Sequence, residues 1–211
     1  MTRGTRLTRI AGALLFMAGF GVFMGIITAE ALYPGEYTTG GSMISDLGGT
    51  EPPDSIVLQP SAAIFDTTMI VIGVLVLAAA ACLYVARRRP SLIIPMALLG
   101  IGAVGVGIFP GDTGAVHQLF AQLTFISGGV AAILTYRSVT GPFLYVTVAL
   151  GAITLVNLGA YIIFGDGWFV AGLGLGGLER WIAYPVIFWL IGLGGHLMAA
   201  DGQSSTVTVR R

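Results

Sequence analysis

Six stretches of this chain are each long and apolar enough to cross a bilayer, and no other feature constrains the fold as much. A spanning helix needs about 20 mostly apolar residues to cover about 30 Å of hydrocarbon. The stretches run over residues 7–32, 61–85, 91–109, 116–136, 143–164 and 178–199. Only 9% of the 211 residues are charged, against roughly a quarter in soluble domains. So little charge cannot cover the surface of a soluble domain. The expected fold class is all-α: a six-helix transmembrane bundle formed by one domain over residues 1–200. A polar tail covers 201–211, and one long loop joins the first two helices.

The few charges orient the bundle. Arg3, Arg6, Arg9, Arg87, Arg88, Arg89, Arg137, Arg210 and Arg211 all fall on one side if there are six spans. The positive-inside rule makes that side cytoplasmic, with both termini there, in a multi-pass protein of the cell membrane. The opposite side holds Glu30, Glu36, Asp46, Glu51, Asp54, Asp66, Asp112, Asp166 and Glu179, with Arg180 as its one basic residue. Asp201 is the one acid on the arginine side. The formal net charge of zero is thus the sum of two opposed caps. A nucleic-acid partner would need a basic excess, and none is expected; membrane lipids are the expected surroundings. The single cysteine, Cys82, excludes an intrachain disulfide and zinc sites built on several cysteines. No metal or cofactor is expected. A second reading of the first span is a signal peptide cleaved near Ala29-Glu30-Ala31. Against it, the apolar run over 10–29 is span-length.

The long loop, about 33–60, carries Ser42, which can cap a short turn over 43–47. It reads either as a functional loop with its own structure or as a solvated lid or simple connector. An aromatic, a helix breaker and an acid recur after three spans, as in Tyr33-Pro34-Gly35-Glu36, Phe109-Pro110-Gly111-Asp112 and Phe164-Gly165-Asp166. Aromatic belts with helix punctuation produce this pattern; an ancient hairpin triplication, or a ring of acids around an outer mouth, is the alternative.

Asp66 lies just over one turn inside the second span, where an ionised carboxylate costs about 2.5–3.5 kcal/mol. It should therefore face the bundle or an aqueous cavity. His117 opens the fourth span, with Gln118 and Gln122 following at i,i+4 spacing. Glu179 and Arg180 open the sixth, with Tyr184 one turn below. Arg180 should pair with an outer acid, Asp66 and Asp46 being the first candidates. Ser45, Asp46, Asp66, Asp112, His117, Glu179, Arg180 and Tyr184 form the candidate ligand-binding set. The competing reading is a network that fastens the loop to the bundle. His196 reads as interfacial, and Asn157 with Tyr161 as interhelical hydrogen bonds. Gly21-x-x-x-Gly25 and Gly100, Gly102, Gly105 and Gly107 read as packing surfaces.

Tyr33-Pro-Gly-x-Tyr37, Ser42-x-x-Ser45-Asp46-Leu47-Gly48, Phe65-Asp66, Gly107-x-Phe109-Pro110-x-Asp112, His117 and Glu179-Arg180 with Tyr184 occur in this order. Over about residues 9–199 the chain resembles the six-span membrane proteins of domain-of-unknown-function family 998. That family is distantly grouped with DRAM-like membrane proteins. The resemblance implies fold and topology and no established activity. It leads to an expectation of Asn after Phe65, where this chain has Asp66.

Three functional classes follow. The leading one is a binding protein whose outer polar pocket takes a lipid headgroup or small ligand, with Arg180 as an anion anchor. A second is a hydrolase or transferase acting on lipid at the outer leaflet. There His117 would be the base, Asp112 or Asp46 its orienter, and Ser45 the nucleophile. A small-molecule transporter is the third; the nearly uncharged midplane argues against it.

Overall fold

The computed structural model describes residues 2–199; the tail with Asp201, Arg210 and Arg211 lies outside the described residues. Six α-helices are present: α1 (Arg3–Ala31), α2 (Ser61–Val85), α3 (Pro90–Ile108), α4 (Ala115–Leu134), α5 (Phe143–Phe164) and α6 (Leu175–Ala199). All six are long and apolar enough to cross a membrane. In lipid a backbone must satisfy its own polar groups, and the helix does so within one segment.

Local chemistry sets the helix ends. The Thr2 hydroxyl accepts from the Thr5 amide at 3.3 Å, which starts α1 four residues before the apolar run. Pro90 opens α3, where its missing N–H leaves no bond unmade, and Arg89 before it is extended. α5 stops at Gly165, whose φ of 53° a side chain would resist. α6 begins at Leu175, three residues before the stretch read from hydropathy.

Consecutive helices pack side by side, and α6 returns to α1, closing a ring. α6 also touches α4, which leaves α5 outside the inner ring. α1 shows why helices in lipid pack this way. It buries Ala11, Gly12, Leu15, Ala18 and Gly19, while Phe16, Met17, Phe20 and Met24 are exposed. Small residues face the neighbours so that backbones can approach closely.

Three seams place glycine against glycine. A Cβ on Gly12 would lie 2.8 Å from the Gly194 carbonyl oxygen, and one on Gly194 2.7 Å from that of Gly12. Gly73 and Gly100 oppose each other in the same way across α2 and α3, as do Gly129 and Gly151 across α4 and α5. Of the glycines flagged in the sequence, Gly25 packs on Thr68, Gly102 on Thr124, Gly105 on Phe120 and Gly107 on Ile70. At the heart of the arginine end, the wholly buried Trp189 donates to the Thr135 hydroxyl at 3.0 Å.

The antiparallel order gives the bundle two unlike ends. The connections 32–60, 109–114 and 165–174 gather at one, here the loop end. The connections 86–89 and 135–142 gather at the other, the arginine end, together with the start of α1.

Candidate functional site

The long loop is pinned by one side chain. Arg180, 6% exposed, reaches from the first turns of α6 into the loop. Its Nη1 donates to the carbonyl oxygens of Thr39, Ser42 and Gly176 at 2.9–3.0 Å. Its Nη2 donates to the Tyr37 hydroxyl at 2.9 Å and lies 3.5 Å from the Glu30 carboxylate. Tyr37 in turn donates to the Met43 carbonyl at 2.9 Å. Burial pushes the Tyr37 phenol above its ordinary range, with the adjacent Arg180 charge opposing, so the phenol stays protonated to make that bond. The expected pairing of Arg180 with Asp66 or Asp46 is therefore corrected. Glu30, at the end of α1, is the acid that ring closure brings to α6.

The next residue along holds the same loop differently. The Glu179 carboxylate accepts from the backbone amides of Ile44 and Ser45, at the start of a single 3₁₀ turn over Ser45–Leu47. Asp46 accepts from the Met43 amide at 2.7 Å. Burial raises the Asp46 carboxyl above its ordinary range, against the pull of that amide. Ser42, expected to cap this turn, instead accepts from the Thr38 amide upstream at 3.1 Å. The acid, not the hydroxyl, is placed to reach the turn. Ile44 and Leu47 enter the core, and the buried Ser61 hydroxyl donates to the Leu47 carbonyl at 3.1 Å. Close backbone approach makes the docking possible: the Gly176 amide donates to the Gly40 carbonyl at 2.9 Å.

Asp66 and Asp112 form a separate group. A Cβ on Gly48 would lie 2.6 Å from Asp66 Oδ1, and Gly49 faces the Asp112 backbone and Cβ. The two acids thus flank the Gly48–Gly49 backbone. One carboxylate oxygen of each is buried without a hydrogen-bond partner. Tyr184 belongs to neither group. Its ring packs edge-on against Phe23 at 5.9 Å and Phe188 at 6.4 Å, one turn beneath Arg180.

The open space lies beside Ser45, His117 and Glu179. A cavity of about 80 Å³ runs down the middle of the ring, walled by α1, α2, α3, α4 and α6. Its sides are apolar; Ser45, His117, Thr124 and Glu179 are its polar lining residues. A second pocket, about 330 Å³, lies between the loop, α4, α5 and α6. Ser45, His117 and Glu179 line both, with Ala121 and Phe125. These three polar residues stand between the second pocket, here the vestibule, and the inner cavity, and their position is here called the neck.

His117 is held rigidly. It is 4% exposed, and its Nδ1 lies 2.8 Å from the Phe109 carbonyl oxygen. A carbonyl can only accept, so Nδ1 carries a proton, and Nε2 is the nitrogen left to face other groups. The vestibule adds Glu51 and Gln118, which hydrogen-bond at 2.9 Å and tie loop to helix, and Gln122 one turn on. Below them the wall turns apolar at Phe125, Leu158, Ile162 and Ile182.

The eight candidate residues therefore do not form one cluster. Ser45, His117 and Glu179 meet at the neck. Asp46 and Arg180 hold the loop, Asp66 and Asp112 flank its glycines, and Tyr184 packs below. Glu30, Tyr37 and Glu51 were missed. The signal for Tyr37 was its place in the Tyr33-Pro-Gly-x-Tyr37 element; Glu30 offered no local signal. Two smaller expectations also change. Asn157 bonds to the Ile153 carbonyl of its own helix and accepts from Trp168 Nε1 at 3.0 Å, and makes no bond to a neighbouring span. His196 stacks on Phe143 at 5.3 Å.

A family model described as a protein of unknown function, DUF998, matches residues 10–196. No curated protein and no solved structure matches the chain.

Proposed function

The chain belongs to the DUF998 family of membrane proteins, whose description assigns no activity, so we propose a function from the geometry of the neck. The protein is a binding protein of the cell membrane, its loop end outside and both termini cytoplasmic. It takes an amphipathic ligand, a lipid headgroup with its chain or a small molecule of that character, into the vestibule. The observation that carries this reading is a vestibule that is polar where Ser45, His117 and Glu179 line it and apolar below, with the same three residues also lining an apolar inner cavity. The polar end meets these residues with Glu51 and Gln118. The apolar end lies along Phe125, Leu158, Ile162 and Ile182.

The donor set favours a particular kind of head. The Nη donors of Arg180 are committed to protein oxygens, so it steadies the loop and does not grip an anion. Asp46, Asp66, Asp112 and Tyr184 support the neck from behind. The lining keeps two carboxylates and an imidazole, which suit a head rich in hydroxyl or amino donors. A hydrogen bond to a charged group contributes about 1.5–3 kcal/mol, or roughly tenfold or more in affinity. Glu179→Gln, whose amide oxygen still accepts from Ile44, should lower the retention of one co-purifying lipid by about that factor. Lipid mass spectrometry of the purified variant reads this out; an unchanged lipid profile in both Glu179→Gln and His117→Ala would overturn the reading.

A second reading has its own support. A histidine with Nδ1–H fixed on a carbonyl and Nε2 left to face other groups is oriented as a general base, and Ser45 lines the same neck. The function would then be lipid hydrolysis or acyl transfer through Ser45. A fluorophosphonate probe should label Ser45 in the wild type and fail in Ser45→Ala. Absence of any Ser45 adduct, with bound lipid recovered intact, excludes this reading and leaves the first standing.

A further inference from the structure

The arginine end carries a second site that the neck does not explain. Arg87, Arg88 and Arg89 of the α2–α3 connection face Arg137, Ser138 and Thr140 of the α4–α5 connection across a cleft of about 400 Å³. All four arginines are exposed. No aspartate or glutamate occurs among the described residues of this end. The sequence outside them adds Asp201, and against it Arg210 and Arg211. The contacts these guanidiniums make are with neutral groups. Arg88 donates to the Thr8 hydroxyl at 3.1–3.2 Å. Arg137 donates to the Tyr136 hydroxyl at 3.0 Å and lies 5.4 Å from that ring's centre.

The backbone gives an independent sign. α2 ends in a cap in which the Arg88 amide donates to the Leu83 carbonyl at 3.0 Å and the Arg87 amide to the Tyr84 carbonyl at 2.9 Å. This cap puts its central residue in the left-handed region, a place that glycine usually fills. Here that residue is Arg87, with φ of 56°. In a chain with 32 glycines, the position best suited to glycine carries a guanidinium instead. The far wall is equally fixed, because Val139, between Ser138 and Thr140, is buried at 4% exposure.

We propose that the cleft between Arg87–Arg89 and Arg137–Thr140 is a binding site for the phosphate of an anionic phospholipid headgroup. Guanidinium forks match phosphate oxygens in pairs, and the two hydroxyls add neutral donors. The cleft lies at the ends of spanning helices, at the depth where headgroups stand. Arginines at an anionic membrane surface act additively, each contributing about fivefold in binding.

The test uses the full chain in mixed micelles holding equal phosphatidylglycerol and phosphatidylcholine, read by native mass spectrometry. The wild type should retain phosphatidylglycerol preferentially. Arg87→Gly and Arg137→Gln should each lower that preference about fivefold, and together about 25-fold. Arg87→Gly also relieves the backbone, so its melting temperature should hold or rise while lipid is lost. A purely structural role for Arg87 predicts the opposite pairing. Equal retention of the two lipids by the wild type overturns the proposal, as does a preference unchanged in the double variant. Inorganic phosphate is the second arm: if it displaces phosphatidylglycerol at millimolar concentration, the ligand is a soluble phosphate and the lipid assignment fails.

Discussion

At one end of the bundle a single arginine is buried among five protein oxygens; at the other, four arginines share a cleft with hydroxyls and no described carboxylate. The side chain is the same and its role is opposite. Arg180 has exchanged water for the carbonyls of Thr39, Ser42 and Gly176, and so holds a loop over the helix ends. Arg87, Arg89 and Arg137 keep their exposure, and so present charge to whatever approaches. Burial with both terminal nitrogens bonded turns a guanidinium into a structural pin, although the Nε of Arg180 is buried without a partner; exposure leaves the other guanidiniums open to solvent.

The sharpest way to break this contrast is to delete both kinds. Arg180→Ala strands buried carbonyls and the Glu30 carboxylate, and removal of one member of a buried polar set costs about 3–5 kcal/mol. Arg137→Ala should stay within about 0.5 kcal/mol of wild type, as surface changes do. Melting of the purified variants in detergent compares them directly; equal losses would mean that Arg180 pins nothing. Arg180→Lys should recover only part of the loss, since one ammonium cannot serve three carbonyls and a phenol at those positions.

Glycines at the two ends offer a smaller contrast. A Cβ on Gly176 would overlap the Ser42 carbonyl, which Arg180 also binds. Gly176→Ala should therefore cost about 1–3 kcal/mol by forcing the loop away. Gly4, at the arginine end, has nothing within 4 Å of such a Cβ. Gly4→Ala should be neutral or stabilise by up to about 1 kcal/mol through helix propensity. Hydrogen exchange over 39–46 should rise in the first variant and stay unchanged in the second.

The smallest expected effect concerns Asp46. Its carboxyl is raised in the folded state by burial, so the folded protein binds the proton more tightly than the unfolded chain. That contribution favours folding below the ordinary carboxylate range and is lost as pH rises through the folded-state value. Asp46→Asn keeps an acceptor for the Met43 amide and removes the charge. It should flatten the fall in stability above the ordinary carboxylate range, measured as melting temperature against pH. A fall of unchanged slope would assign that pH dependence to another group.

The sequence revealed what depends on length and polarity along one segment. The six helices lie within a few residues of the stretches set by hydropathy, and the one arginine among the loop-end acids was visible as an anomaly. Partners across the ring were not visible. Glu30 meets Arg180 because α6 closes on α1, a contact between residues 150 positions apart that no local pattern encodes. Ser42 and Asp46 are both competent caps, and backbone direction in the loop decided between them. His117, Ser45 and Glu179 could be named from the sequence, but their meeting at a neck needed the spaces on either side.

Closure of the ring by α1 and α6 also gives the molecule an order of assembly. α2 with α3 and α4 with α5 are hairpins whose glycine contacts can form as each pair leaves the translocon. Gly12 and Gly19 wait for α6, the helix that follows all the others, and Glu30 waits for its guanidinium. A partly synthesised chain has α1 packed on α2 alone, with the side that holds Gly12 and Gly19 still open. The neck, and anything bound in it, exists only once the sixth helix has been made.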